Sequence, residues 1–226
     1  MLVDSADTIG AHDSSPWPAF ADLLSATTLL FLILFAVVAL PALLHDRATR
    51  AKQNTLHQLW SVLADSSVPR GFSADTVGDY LLIRIPEKAT FPRDASDIST
   101  FQPEGFAILR NVANRIRRDS LLGSIDQIQV VGHTSSEGSD AYNWRLSSLR
   151  ATTVAMILID SLGLPPCQVT ALGRARYYPV DPKRAHATAN PNPADRRIEL
   201  EIRPAVRGDA LQRARHDQCV ANPGQP

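Results

Sequence analysis

Between Phe20 and Leu44 the chain reads FADLLSATTLLFLILFAVVALPALL. This run is apolar but for one carboxylate, Asp22, and the hydroxyls of Ser25, Thr27 and Thr28. As a helix, Leu23–Leu44 would extend roughly 33 Å, enough for a hydrocarbon layer of about 30 Å. No soluble domain needs an uninterrupted apolar run of that length, so the sequence predicts a transmembrane helix over residues 17–44. Trp17 suits a membrane interface and Pro18 a first helical turn. Pro41 is expected to bend or loosen the last turn. The run does not read as a cleaved signal peptide. No Lys or Arg precedes it, the apolar part is too long, and no small-residue cleavage pattern follows in a suitable place.

Asp22 is the residue that asks for a reason. A carboxylate at the centre of a membrane helix costs about 2.5–3.5 kcal/mol, and less near an interface. One held there is either a functional site or a cap for the helix in the headgroup region. Asp22, Ser25, Ala26 and Leu29 share one narrow face by their three- and four-residue spacing, a face suited to packing against other helices.

The remainder of the 226 residues has room for one ordinary domain. Its 23 basic and 23 acidic residues balance, so no overall basic field points to nucleic acid. The two cysteines, Cys167 and Cys219, are too far apart for a C-x-x-C metal or redox pair. They are candidates for one disulfide, worth roughly 4 kcal/mol by chain entropy, or for two unrelated thiols. Residues 1–16 read as a polar, acidic, disordered tail, and residues 205–226 as an irregular C-terminal tail. Residues 45–79 read as a juxtamembrane helix and linker. Leu56, Leu59, Trp60 and Leu63 fall at helical spacing there, for core packing or for a dimer seam.

Residues 80–204 alternate between the two periodicities. Strands are expected at Tyr80–Ile85, Gln127–Val131, Gln168–Leu172 and Arg197–Arg203. Helices are expected at Glu104–Arg118 and Leu146–Leu162, the second with Leu146, Leu149, Val154, Ile157 and Leu158 inward. The order β-α-β-α-β-β implies an α+β sandwich, with helices on one face of a mixed sheet. No nucleophile–base pair, metal cluster or acid pair stands out, so no hydrolase or cofactor is expected.

Two resemblances narrow the reading. The run WPAFADLLSAT at 17–27 resembles the start of the membrane helix of MotB-type stator subunits, where the aspartate binds the transported ion. The run GHTSSEGSDAYNWRLSSLR at 132–150 resembles the OmpA-like peptidoglycan-binding pattern G-H-T-D-x-x-G-x-x-x-x-N-x-x-L-S-x-x-R-A. Gly132, His133, Thr134, Gly138, Asn143, Leu146, Ser147, Arg150 and Ala151 match in register. Downstream, ADRRIEL at 194–200 is similar to the family's closing strand.

These resemblances imply a set of site residues. Arg150 would grip a carboxylate of the diaminopimelate-containing stem peptide, Asn143 would hydrogen-bond it, and Arg197 would support the site. Thr134, Ser135 and Leu146 would line it. Ser135 stands where the family has an aspartate for the ligand's ammonium group, which implies weaker binding, a charge supplied by Glu137 or Asp140 instead, or a shift to another ligand. Asp22 would carry a proton or a sodium ion, with Ser25 on its pathway. The implied assembly is a homodimer inside a MotA-like pentamer in the bacterial inner membrane, with the C-terminal domain periplasmic. The short linker and acidic tail are most similar to the MotB-like subunit of the Zorya anti-phage defence system. The alternatives are a flagellar or gliding-type stator subunit and a non-motor wall anchor. One signal opposes this topology: Arg47, Arg50 and Lys52 follow the helix, where the positive-inside rule would place the cytoplasm.

Overall fold

The computed structural model describes residues 16–63, 72–118, 121–184 and 191–205. The two expected tails fall almost wholly outside these ranges, as does Cys219. The chain divides into two compact units, residues 1–47 and 48–226.

Helix α1 runs from Trp17 to Leu63 without interruption, through Pro41. The juxtamembrane helix is thus a continuation of the apolar one. The first part of α1, Trp17–Pro41, is 25 residues long with a mean hydropathy of 2.7, and none of its side chains is buried. At 1.5 Å per residue it spans about 37 Å, sufficient to cross a membrane. Among its hydroxyls, Ser25 donates to Ala21 O (2.7 Å) and Thr28 to Leu24 O (2.7 Å). These back-bonds allow such residues in an apolar helix.

The second unit is built on a five-stranded sheet of order β1-β2-β5-β3-β4. Its strands are β1 (Ser73–Val77), β2 (Tyr80–Pro86), β3 (Ile125–His133), β4 (Val169–Gly173) and β5 (Arg197–Pro204). All neighbours are antiparallel except β3 and β4. Strand β1 was expected to be linker. Its sequence SADTV is polar because it is a sheet edge, largely exposed, joined to β2 by a tight turn at Gly78 (φ 56°).

Helices α3 (Pro103–Arg118) and α4 (Asp140–Met156) bury their apolar sides against Leu81, Ile83, Ile85, Ile128, Val130, Ile198, Leu200 and Ile202. A single turn, α2 (Glu87–Thr90), follows β2. Helix α4 begins six residues before the expected start, because Ser139 caps it by accepting from Tyr142 N at 3.2 Å. Leu149 faces outward at 48% exposure and not inward as its spacing implied.

Glycine decides where α4 lies. Gly132 and Gly173 are register partners on β3 and β4. A Cβ on Gly132 would lie 2.1 Å from Ser147 O, and one on Gly173 2.3 Å from Ser148 Oγ. The helix backbone therefore rests directly on this glycine pair.

The leucine stripe after the membrane span has an intramolecular use. Leu56, Leu59 and Leu63 are 6%, 0% and 1% exposed, and Leu59 and Leu63 belong to the domain's own core. Arg115 donates to Val62 O, and Lys52 pairs with Asp79 at 2.5 Å. Of the two uses expected of this stripe, core packing or a dimer seam, the structure shows the first: the domain itself buries it. Cys167 is disulfide-bonded, but the expected partner, Cys219, lies outside the described residues.

Candidate functional site

The loop leaving β3, residues 134–139, meets the segment 91–102 and the approach to β5 at one end of the sheet. Helix α4 holds this region together. Arg150 Nε donates to Ala95 O (2.8 Å), Nη2 to Pro92 O (3.1 Å) and Nη1 to Glu87 Oε1 (2.6 Å). Its guanidinium also lies 5.5 Å above the Phe91 ring. Thr153 donates to Ser96 O (2.6 Å) and Tyr142 to Asp94 (2.8 Å). Three side chains of one helix thus fix a segment that has almost no secondary structure of its own.

The residues singled out by sequence are buried, and all but Arg197 lie beneath this region. Thr134, Ser135, Asn143, Leu146, Arg150 and Arg197 are all under 10% exposed. Asn143 Nδ2 donates to Glu137 O (2.8 Å) and shapes the loop. Thr134 N donates to Ala175 O (2.9 Å). Arg150 does grip a carboxylate, but that of Glu87.

Arg197 sits elsewhere. Strand alternation places it on the sheet face opposite the helices, where it bonds Glu199 Oε1 (2.8 Å), Asp195 O (3.0 Å) and Tyr178 O (3.0 Å). Its neighbour Arg196 faces the loop instead. Arg196 Nε reaches Glu87 Oε2 at 2.5 Å, and its Nη1 lies 3.5 Å from Glu137 Oε2. Arg93 Nη2 contacts the same Glu137 oxygen at 2.8 Å. The parity of Ile198, Leu200 and Ile202 was the available signal: Arg196 shares their side of the strand and Arg197 does not. Of the two acids that could replace the missing aspartate, Asp140 is engaged by Arg176 (2.7 Å), and Glu137 belongs to the site.

Lys88, Arg93, Arg196, Glu87, Phe91 and Pro193 are among the residues lining a cleft of about 510 Å³. Arg93, Arg196 and Glu87 of the lining belong to a chain of ion pairs: Glu137 pairs with both Arg93 and Arg196, and Arg196 and Arg150 with Glu87. Guanidinium groups offer paired donors to a carboxylate, and Glu137 and Glu87 offer acceptors to an ammonium. This set of charges therefore suits a small zwitterion. Glu87 lies between the cleft and Arg150, so a ligand reaches Arg93, Arg196 and Lys88 first.

The opposite sheet face holds a buried charge network. His133 and Glu199 are 1% and 4% exposed, with Nε2 and Oε2 2.9 Å apart. Burial, opposed by the bond to Glu199, holds His133 below its ordinary value. The ring is then neutral at pH 7, with Nε2–H donating. Burial pushes the Glu199 carboxyl up, but the His133 hydrogen bond and the Arg197 guanidinium outweigh it and bring it down to about 2.

Comparison with known proteins agrees with this construction. Residues 90–195 match the OmpA family model. Outer membrane protein A of Bordetella avium is 36% identical over 106 residues, covering 47% of this chain and 50% of that protein. The probable lipoprotein YiaD of Escherichia coli is 29% identical over 142 residues, 63% of this chain and 60% of that one. Porin F of Pseudomonas aeruginosa is 30% identical over 121 residues, 54% and 32% respectively. The chain thus spans about a third to three fifths of these curated relatives. Among solved structures, a MotB-like protein from Desulfovibrio vulgaris superposes with a TM-score of 0.53 at 19% identity, covering 74% of this chain and 98% of that one. The cell wall anchor of the type VI secretion system of Pseudomonas aeruginosa gives 0.50 at 24%, covering 65% and 97%. At these identities the likeness is one of fold. After an apolar helix long enough to cross a membrane, the chain has a mixed α/β domain of OmpA-like fold, of which residues 90–195 match the OmpA family model.

Proposed function

We propose that this chain is an inner-membrane protein whose periplasmic OmpA-like domain binds peptidoglycan, and that it is the wall-anchored subunit of an ion-driven stator. The observation that carries the wall-binding part is the ion-pair chain Arg93–Glu137–Arg196–Glu87, three of whose members line the cleft. The free head of a diaminopimelate residue in the stem peptide bears an ammonium beside a carboxylate, and such a row meets both charges at once. Lys88 adds a third cation for a neighbouring carboxylate of the peptide. Loss of the ancestral aspartate at Ser135 is answered by Glu137, held by two guanidiniums on the accessible side of the same loop.

The stator part rests on α1 and on the MotB-like resemblance. Asp22 lies in the second turn of an apolar helix, on the face of Ser25 and Ala26. Ser25 gives its proton to Ala21 O and keeps its oxygen lone pairs for a transferred ion. Asp22 is the proposed proton or sodium carrier, and two copies of α1 within a MotA-like pentamer form the proposed assembly. Anti-phage defence is the proposed output. Because the leucine stripe is used by the domain core, the homodimer is assigned to the membrane span alone. The topology conflict also eases, since Lys52 serves the fold by pairing with Asp79.

Calorimetric titration of the detergent-solubilised full chain with meso-diaminopimelate tests the cleft. Saturable binding that is lost in Arg196→Ala and weakened in Glu137→Gln is expected. No binding by the wild-type chain would overturn the wall-binding reading.

A further inference from the structure

At the last rung of the β3–β5 ladder, one carboxylate holds both strands. His133 and Arg197 are register partners there. Glu199 bridges them on the sheet face away from the helices, with Oε2 2.9 Å from His133 Nε2 and Oε1 2.8 Å from Arg197 Nε. Each end of the rung leads to a residue of the candidate site. His133 is followed by the loop that carries Glu137, and Arg197 is preceded by Arg196, whose Nη1 lies 3.5 Å from Glu137 Oε2. The rung is buried: His133, Glu199 and Arg197 are 1%, 4% and 7% exposed.

This rung has no place for a second proton on the His133 ring. Nε2 faces an ionised carboxylate and carries the hydrogen, so Nδ1 is the acceptor of the neutral ring, and it is buried without a hydrogen-bond partner. A proton on Nδ1 would be a buried donor with no acceptor. It would also add charge to a corner already rich in cations. Arg197 on β5 and Arg174 just after β4 both oppose a charged ring, and Arg84 on β2 meets Glu199 Oε1 at 3.3 Å. Against these cations stand Glu199 and Glu201, and Glu201 is itself held by Arg174 (2.9 Å) and Arg203 (3.0 Å).

We infer that the His133–Glu199–Arg197 rung is a proton-operated clamp: a proton taken up by His133 releases the loop after β3 from the start of β5 and parts Glu137 from Arg196. The closed arrangement accommodates the uncharged ring, so acid favours the open one. Burial depresses His133 below its ordinary value in the closed form. The clamp is therefore fully held above about pH 6.5 and weakens as pH falls from there. The consequence for a ligand rests on the cleft proposed above: its affinity falls by at most about tenfold per pH unit, the limit for one coupled proton.

The test is hydrogen–deuterium exchange on the full chain in detergent, from about pH 7.5 to about pH 5, with amide rates corrected for their intrinsic pH dependence. Slow exchange at C2 of the histidine rings, read by mass on the same chain, gives the titration of His133 itself. The peptide carrying residues 133–139, in which the Thr134 amide donates to Ala175 O (2.9 Å), should lose protection as His133 titrates and before α3 does. His133→Gln keeps a donor for Glu199 and cannot titrate, so its loop should hold one level of protection across the range. Loop protection that stays level in the wild type, or that falls equally in His133→Gln, would overturn the clamp. If His133→Gln lacks α3 protection at neutral pH, the wild-type profile against the His133 titration decides alone. A loop that opens as expected in a chain that binds no diaminopimelate would remove the cleft reading and leave the clamp standing.

Discussion

Replacing Arg150 by alanine should damage the fold before it damages any binding. The side chain is 2% exposed and makes three hydrogen bonds, one of them to a carboxylate. Breaking a buried ion pair from one side costs about 3–5 kcal/mol, and each hydrogen bond involving a charged group about 1.5–3 kcal/mol. These figures overlap and do not add. Arg196 remains to neutralise Glu87, so the lower half of the range, about 3–4 kcal/mol, is the expected loss. For a domain of this size that corresponds to a fall in Tm of roughly 6–16 °C. Arg196 is different: its side chain is 22% exposed and its removal leaves Glu87 still bound to Arg150. Arg196→Ala should cost about 1 kcal/mol, and abolish diaminopimelate binding. Thermal unfolding followed by near-ultraviolet circular dichroism, beside the titration, separates the two. If Arg150→Ala melted within about 2 °C of the wild type and bound nothing, Arg150 would be a ligand-gripping residue, and the assignment to Arg196 would fail.

Acid should unfold the domain in two stages. His133 is depressed by burial below its ordinary value, so the unfolded chain binds more protons there and stability falls as pH drops below about 6.5. Glu199, at about 2 against 4.5 unfolded, contributes about 3 kcal/mol that is present above pH 4.5 and lost between there and 2; a His133→Gln melt that kept the upper stage would contradict this. Leu59→Ala, at 0% exposure, should lower stability by about 2–5 kcal/mol without changing crosslinking between copies. Dissociation of a dimer with an unchanged Tm would restore the stripe as a seam. Asp22→Asn should abolish ion-driven output while partner subunits still co-purify, and full output in that variant would leave only a passive anchor.

The sheet and its helices were legible because their periodicities are clean. Ile198, Leu200 and Ile202 alternate strictly, and they pair in register with Ile85, Ile83 and Leu81. Strand β1 was not legible, because an exposed edge carries no apolar alternation. The leucine stripe was legible as a stripe but not as to its partner, since spacing reports a buried face and not what buries it. At the site, the motif marked side chains that are buried. Asn143 and Arg150 hold the loop and the segment beside it, and holding them requires burial. The side chains that face the cleft, Lys88, Arg93 and Arg196, lie on segments with no regular period, where only the completed fold brings them together.

The central claim is that this chain grips the cell wall through the Arg93–Arg196 cleft, and co-sedimentation of the detergent-solubilised full chain with purified sacculi tests it most directly. The wild type should pellet with the wall and be released by free diaminopimelate, and Arg93→Ala/Arg196→Ala should stay in the supernatant with its circular dichroism intact. A wild-type chain that stays in the supernatant, or a folded double variant that pellets as well as the wild type, would contradict it.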